Sequence, residues 1–530
     1  MSQLHSISKL TIINIGNAVV GVAMSVAMAW LFGTTDRIGS YFVAATLLSV
    51  VQKVFFVGQF SEVFLPEYVQ RREVAGGAKA DRCFSALYNH LILILLVTAL
   101  GAAFVLPWIS GIIAPGFDAD QRRQMTQLSQ ALLGVMILVV ANGHLQIIGN
   151  ARGWYGRFES YGLYGSALGL IAFIATGKMF GVWSLVLSQG VTQIVLFAGS
   201  WIYLYRQGYR HAWIWNEPDF SVWAVVGRVG YTALSIGAAQ FYVLSFNAAL
   251  TLLPAVVLPV YKYAETLYSR VGILFMRPVA VVFFTDAALL AHRNPAQLRA
   301  RISEALYHYA LMYFLVLVAV FPALNNLLGA IWGGRHYHAA EIQQTTFFVF
   351  CFLGLLIFDG AGLLYRRLNV IMGDLRRHYT VMTIVQLAMA CAAPFLVQAL
   401  GVAGAAWVLI LNIVAQMLAG LAIVYFCRPQ FLAFFPTRTW KLALAAVLPV
   451  LLAWLFPVLL PALDYAGDFS PWGKIRELTK AGILGGTGFL LGVGVAWVLG
   501  VDEARVGWGR LRGQLQSWRL LRAPAERLNN

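Results

Sequence analysis

Residues 41–68 read YFVAATLLSVVQKVFFVGQFSEVFLPEY. A helix that crosses a bilayer needs about 20 mostly apolar residues, and positions 41–65 supply such a run. Gln52 and Lys53 interrupt it near mid-depth, and Gly58, Phe60, Ser61, Phe64 and Pro66 close it. Ionisable groups inside a span are expensive and by default mark a functional path. This stretch therefore predicts both a transmembrane helix and a polar position within it. The competing reading of Lys53 is a pairing with a neighbouring helix.

The same pattern repeats along the whole chain. Of 530 residues, 60% are hydrophobic and 11% charged, where a soluble protein carries roughly 25% charged. Apolar runs fall at 10–33, 41–65, 86–110, 126–149, 160–176, 181–204, 229–252, 257–289, 304–330, 344–366, 379–397, 401–427, 439–461 and 477–500. The prediction is an all-α polytopic membrane protein of about 14 transmembrane helices. The first apolar run is as long as a full span and lacks a small-residue cleavage site, so no cleavable signal peptide is expected. With a cytoplasmic N-terminus, twenty-six of the 38 basic residues fall on the inside and eight on the outside. That asymmetry predicts both termini in the cytoplasm and a location in the bacterial inner membrane. The net charge of +16 is then a topology signal spread over short loops, which argues against a nucleic-acid partner.

The longest connection, 205–228, mixes Trp213, Trp215 and Trp223 with polar residues and reads as a segment lying at the cytoplasmic interface. It divides an N-terminal six-helix lobe, 1–204, from a second lobe, 229–428. An internal echo supports the division: Ala86, Leu87 and Tyr88 follow a basic loop, as do Ala305, Leu306 and Tyr307. Six helices per lobe restore the starting side, so the two repeats are expected to be parallel. Helices thirteen and fourteen, 429–500, stand outside the repeat, and a basic cytoplasmic tail follows at 501–530. In that tail Trp508, Leu511, Leu515 and Trp518 recur at helical spacing.

The eighth span is the richest in chemistry. Lys262, Glu265, Ser269, Arg270 and Arg277 all fit within an arc of about 140° at 100° per residue. A surplus of positive charge on one helix face suits an anionic substrate such as a pyrophosphate. The alternative is a set of internal pairs, Lys262 or Ser269 with Glu265, with Arg277 snorkelling. Candidate cavity residues are thus Gln52, Lys53, Lys262, Glu265, Ser269, Arg270 and Arg277. Asn17 and Asn247 join them as polar groups within spans, although such groups more often bind helices together. Asp359 stands towards the inner end of its span. No GxxxxGK[ST] phosphate loop and no Cys/His cluster of zinc spacing occurs. No catalytic residues and no cofactor are expected, and any driving force is an ion gradient, the membrane potential or removal of the product.

The 41–68 stretch also resembles the second helix of the MurJ/MviN family, with its aromatic pair, its basic pair and its G-x-F-S-x-x-F-x-P segment. Ala114-Pro115-Gly116-Phe117 resembles the family's A-P-G-F loop, Arg157-Phe158 its R-F after the fourth helix, and Tyr263-Ala264-Glu265 its Y-A-D at the eighth. The resemblance implies membership of the MOP superfamily of flippases. It further implies two rocking lobes around a cationic cavity, and a lipid-tail groove at helices thirteen and fourteen. The implied cargo is lipid II, the undecaprenyl-pyrophosphate-linked precursor of peptidoglycan. Two arginines of the family's first helix are here Ala18 and Met24, and the basic pair is Gln52-Lys53. A family glutamate is Val57, and an arginine and a glutamate of the eighth helix become Thr266 and Ser269.

The expected function is therefore a flippase for a lipid-linked saccharide, lipid II or an exopolysaccharide unit, working by alternating access and not as an enzyme. The expected partners are that lipid, the surrounding membrane lipids and cell-envelope polysaccharide synthesis proteins, with the chain itself a monomer. The alternatives are a MATE-like drug/cation antiporter, which would favour acidic cavity residues, and a membrane-embedded saccharide polymerase or ligase, which would need a larger outside loop.

Overall fold

The computed structural model describes residues 2–54, 57–152, 154–218, 220–290, 295–459, 465, 467–468 and 470–502. Among these residues there is no β-strand, only two single-residue bridges, Glu217 with Phe220 and Gly334 with Tyr337. The first eight helices are α1 (Ser2–Leu31), α2 (Asp36–Val54), α3 (Val57–Ala75), α4 (Gly77–Ile113), α5 (Ala119–Ala151), α6 (Tyr155–Phe180), α7 (Trp183–Arg206) and α8 (Val222–Thr251). The next seven are α9 (Val257–Leu290), α10 (Pro295–Val320), α11 (Leu324–Trp332), α12 (Ala339–Ile371), α13 (Leu375–Cys427), α14 (Thr439–Leu459) and α15 (Pro471–Val498). Each expected span falls on a helix. Among the described residues, nine helices are long and apolar enough to cross a membrane, and Ile15–Leu31 and Thr439–Leu451 are shorter apolar stretches. The chain is an all-α, multi-pass membrane protein.

Two details depart from the simple list of spans. The ninth span, expected as one helix over 304–330, divides into α10 and the nine-residue α11, with turn residues between them at Pro322. A proline ring removes a backbone donor and clashes with the preceding turn, so the helix stops there. The spans at 379–397 and 401–427 form the single element α13, broken at Gly401, where φ is 60° and ψ is −133°. Only glycine occupies that region without strain. The amphipathic pattern from Trp508 to Trp518 lies outside the described residues.

The chain folds into two compact units: Met1–Leu267 with Gly334–Phe348 and Arg376–Ala419, and Tyr268–Gly333 with Val349–Leu375 and Gly420–Asn530. In the first unit α6 packs on α1 and α7, α5 on α2, α4 and α7, and α8 against α2, α3 and α4. In the second, α15 packs on α10, α11 and α14. Many large apolar side chains remain exposed, among them Leu100, Ile112, Phe395, Phe426 and Val498. In a chain of this composition such a surface is the one that meets lipid.

The connection after α7 is a strap rather than a helix. Asn89 of α4 donates to the carbonyls of Ala212 and Ile214, at 3.1 and 2.9 Å. Ser85 and Tyr209 bond at 3.1 Å, and Arg82 pairs with Glu217 at 2.9 Å. Phe64, Tyr68, Phe84, Tyr88, Tyr209 and Phe220 form the buried aromatic core beneath it. Trp213 and Trp223 stay exposed, as aromatic residues do where one end of the ring is apolar and the other wet. Nearby, Arg152 donates to both oxygens of Asp81, at 2.6 and 2.7 Å, and Tyr68 donates to the first at 2.6 Å.

Candidate functional site

The first unit gathers three of the expected ionic residues. Lys262 and Glu265 stand one turn apart on α9, and the Lys262 ammonium donates to Glu265 Oε2 at 2.8 Å. Residues three apart on a helix are neighbours, so the pair is local. The two ends differ in setting. The Lys262 side chain is 10% exposed and that of Glu265 is 42% exposed. The carboxylate thus neutralises a buried ammonium while keeping one edge open. Tyr261 reaches Glu265 Oε1 at 3.5 Å, and its ring lies 5.5 Å from the Lys262 nitrogen.

Lys53 of α2 is exposed and lies within electrostatic range of both Glu265 and Lys262. It makes no hydrogen bond or ion pair among the described residues. The group therefore carries two ammoniums and one carboxylate, a net charge of +1, and Lys53 is its open cation. Tyr242 of α8 also senses the Glu265 charge and is hydrogen-bonded to Asn412 of α13. Tyr242 and Asn412 are themselves buried, and the sequence reading did not include them.

The other expected residues are placed differently. Gln52 is exposed beside Lys53, and Asn17 is half-buried on α1. Asn247 is buried and turns back on its own helix, donating to the Val243 carbonyl at 2.7 Å. Ser269 and Arg270 continue along α9 within the second unit. Ser269 is exposed, and Arg270 is half-buried with its Nε lacking a hydrogen-bond partner. The side chain of Arg277 lies outside the described residues. The helical-wheel arc placed all five α9 residues on one face. The paired Lys262 is the alternative weighed from the sequence, and among the described residues Lys53 makes no ion pair.

Next to this group is a stitched corner. Tyr263, 1% exposed, donates to the Gly33 carbonyl at 3.1 Å and meets Phe42 and Tyr337 edge-on, at 5.5 and 5.3 Å. Thr34 donates its backbone N–H to the His336 carbonyl at 3.2 Å. Gly116 donates to Thr251 Oγ1 at 3.2 Å. A Cβ at Gly33 would collide with the His336 carbonyl, and one at Gly116 with the Thr251 carbonyl. The turn at 33 thus closes on that at 336, and the turn at 116 on that at 251, backbone to backbone. Sequence reading registered Gly116 and Tyr263 as motif letters; Gly116 meets Thr251 and Tyr263 meets Gly33, 135 and 230 positions away.

Among the described residues, no three His, Cys, Asp or Glu side chains gather as metal ligands. The family model described as "Lipid II flippase MurJ" matches residues 28–467. That range contains the Gly58–Pro66 segment, the 114–117 loop and the Tyr263–Glu265 turn of α9. The fold is similar to a solved "Lipid II flippase MurJ, inward closed conformation", with a TM-score of 0.72, 15% sequence identity, and 91% of this chain and 97% of that chain covered. It is also similar to an inward-facing multidrug resistance MATE family transporter of the MOP superfamily, with a TM-score of 0.61, 15% identity, and 78% and 94% covered. A MOP superfamily transporter from Pyrococcus furiosus matches with a TM-score of 0.56, 16% identity, and 80% and 95% covered.

Proposed function

The chain belongs to the lipid II flippase MurJ family, and from that membership we propose that it moves an undecaprenyl-pyrophosphate-linked saccharide across the bacterial inner membrane. The observation that carries the substrate reading is the exposed ammonium of Lys53 within electrostatic range of the Lys262–Glu265 pair. A diphosphate leaving water needs compensating cations, and a lysine acts on it as a point charge. The half-exposed edge of Glu265 suits the sugar hydroxyls of a headgroup. Lipid II is one such cargo, and an exopolysaccharide unit on the same carrier is another.

The transport cycle follows from the stitched corner. The contacts of Gly33, Gly116 and Tyr263 hold one mouth of the first unit shut, and alternating access requires them to part when the site faces that side. The basic asymmetry of the loops makes this side the outside and puts both termini in the cytoplasm. Two six-helix lobes, 1–204 and 229–428, would then rock about the 205–228 strap. Helices α14 and α15 would hold the isoprenoid tail, and the tail at 501–530 would lie on the inner leaflet. With no phosphate loop in the chain, an ion gradient or the membrane potential drives the cycle in a monomer. A cation antiporter would favour a net-acidic pocket, whereas this group has a net charge of +1.

Native mass spectrometry of the purified protein tests the substrate class. Undecaprenyl-pyrophosphate saccharides are expected to bind, and Lys53→Gln is expected to weaken them about tenfold, the scale of one charge-assisted contact. Binding of organic cations in their place, unaffected by Lys53→Gln, would remove the reading.

A further inference from the structure

An empty site and a loaded one make opposite demands on Lys262. Its side chain is 10% exposed, and an ammonium taken out of water needs a counter-charge. Among the described residues that counter-charge is Glu265, whose Oε2 accepts from the ammonium at 2.8 Å. A phosphate oxygen is the same kind of partner, an anionic acceptor of a charge-assisted hydrogen bond. Glu265 thus occupies the very donor that a headgroup phosphate needs, from three positions along the same helix.

The two partners are held unequally. The Lys262 carbonyl accepts from Thr266 Oγ1 at 2.8 Å, and its ammonium lies 5.5 Å from the Tyr261 ring. The Glu265 side chain is 42% exposed. Its Oε1 has the Tyr261 hydroxyl at 3.5 Å, which is long for an O–H···O bond. The carboxylate can therefore swing towards water and stay solvated, whereas the lysine cannot follow it. Lys53 is attracted to Glu265 and repelled by Lys262, so the carboxylate also offsets the repulsion between the two ammoniums. An arriving anion that carries more than one charge can do the same, with Lys53 holding it while the exchange takes place.

We propose that Glu265 stands in for the cargo phosphate: it neutralises Lys262 while the site is empty, and the diphosphate of an arriving lipid displaces it. The inference rests on the flippase reading and gives the acid of that site a part in loading and release. An empty protein then returns for a new load without burying an uncompensated ammonium. A loaded one has exchanged one anion for another at Lys262, so its affinity is lower by the cost of breaking the pair, and the returning carboxylate helps to expel the product. While displaced, Glu265 keeps its open edge for sugar hydroxyls beside the diphosphate.

The test is the binding of undecaprenyl pyrophosphate to the full-length protein in detergent, followed by native mass spectrometry. Glu265→Gln, nearly isosteric, is expected to tighten binding about tenfold, because Lys262 no longer has a competing anion. Adding Lys262→Gln to that variant is expected to cancel the gain. The wild type supplies a second readout that stands even where the variants do not fold. A carbodiimide modifies carboxyl groups, and labelling of Glu265, read on its peptide by mass spectrometry, is expected to rise when undecaprenyl pyrophosphate is added. Unchanged or weaker binding by Glu265→Gln, or unchanged or reduced labelling of Glu265 on adding the lipid, overturns the proposal and leaves the flippase reading standing. A wild type that binds no undecaprenyl pyrophosphate overturns the flippase reading and this inference with it.

Discussion

Lys262 and Glu265 show what a single residue's setting adds to its letter. Both were visible as ionic positions on one helix face, and their i, i+3 spacing already allowed the pair that forms. Which end is buried was not legible, because burial depends on what packs around α9 and not on spacing along it. Asp81 is the opposite case. Its partner Arg152 is 71 positions away, and no periodicity connects them. The two side chains are 12% and 8% exposed, so the pair is buried and bidentate. Removing one member of such a pair leaves an uncompensated charge. Arg152→Ala is expected to destabilise the protein by about 3–5 kcal/mol, read as a fall in unfolding temperature in detergent, with Arg152→Lys in between. A loss below about 1 kcal/mol would show that the pair behaves like an exposed one.

At the scale of elements, apolar length located the helices well and their interruptions poorly. A run of hydrophobic residues looks the same across 304–330 whether or not Pro322 ends a helix within it, and short α11 emerged only from structure. The very short connection before 401 was legible as a connection, and Gly401 supplies the backbone that makes it feasible. The strap at 207–221 was legible as interfacial from its tryptophans, but not its anchoring by Asn89, which spends both amide hydrogens on carbonyls and leaves its oxygen for His211 Nε2 at 2.9 Å. That oxygen can only accept, so His211 carries its proton on Nε2 and its Nδ1, 3.1 Å from Tyr209 Oη, is the acceptor. Burial holds the His211 pKa below its ordinary value. An undocked imidazole takes up a proton near pH 6.5, and the docked one does so only at lower pH. Docking is therefore at full strength above about pH 6.5 and weakens as the pH falls through that range. The Trp213 ring, 5.2 Å from His211, is the reporter: its fluorotryptophan NMR signal is expected to shift between pH 7 and pH 5 and to stay fixed in His211→Gln. A signal unmoved in the wild type would contradict the docked-neutral arrangement.

For the whole molecule, composition alone determined the class, and the motif at 58–66 with the 114–117 loop pointed to the family. The closed corner was out of reach, since it joins turns near residues 33, 116, 251 and 336 that share no local pattern. It also gives the transport cycle a handle. Cysteines in place of Thr34 and His336, joined by a short thiol cross-linker, are expected to stop transport, and cleaving the linker is expected to restore it. Undiminished transport in fully cross-linked protein would mean that these contacts never part.

The central claim is that this chain carries an anionic, sugar-bearing lipid. Its most direct test is a proteoliposome assay that follows the leaflet of lipid II and of other undecaprenyl-pyrophosphate saccharides over time. The account predicts that at least one of them moves between leaflets in the presence of the wild-type protein, and that Lys53→Gln slows the movement. If none moves, while an organic cation is exported against a proton or sodium gradient, the account is contradicted and the protein is an antiporter.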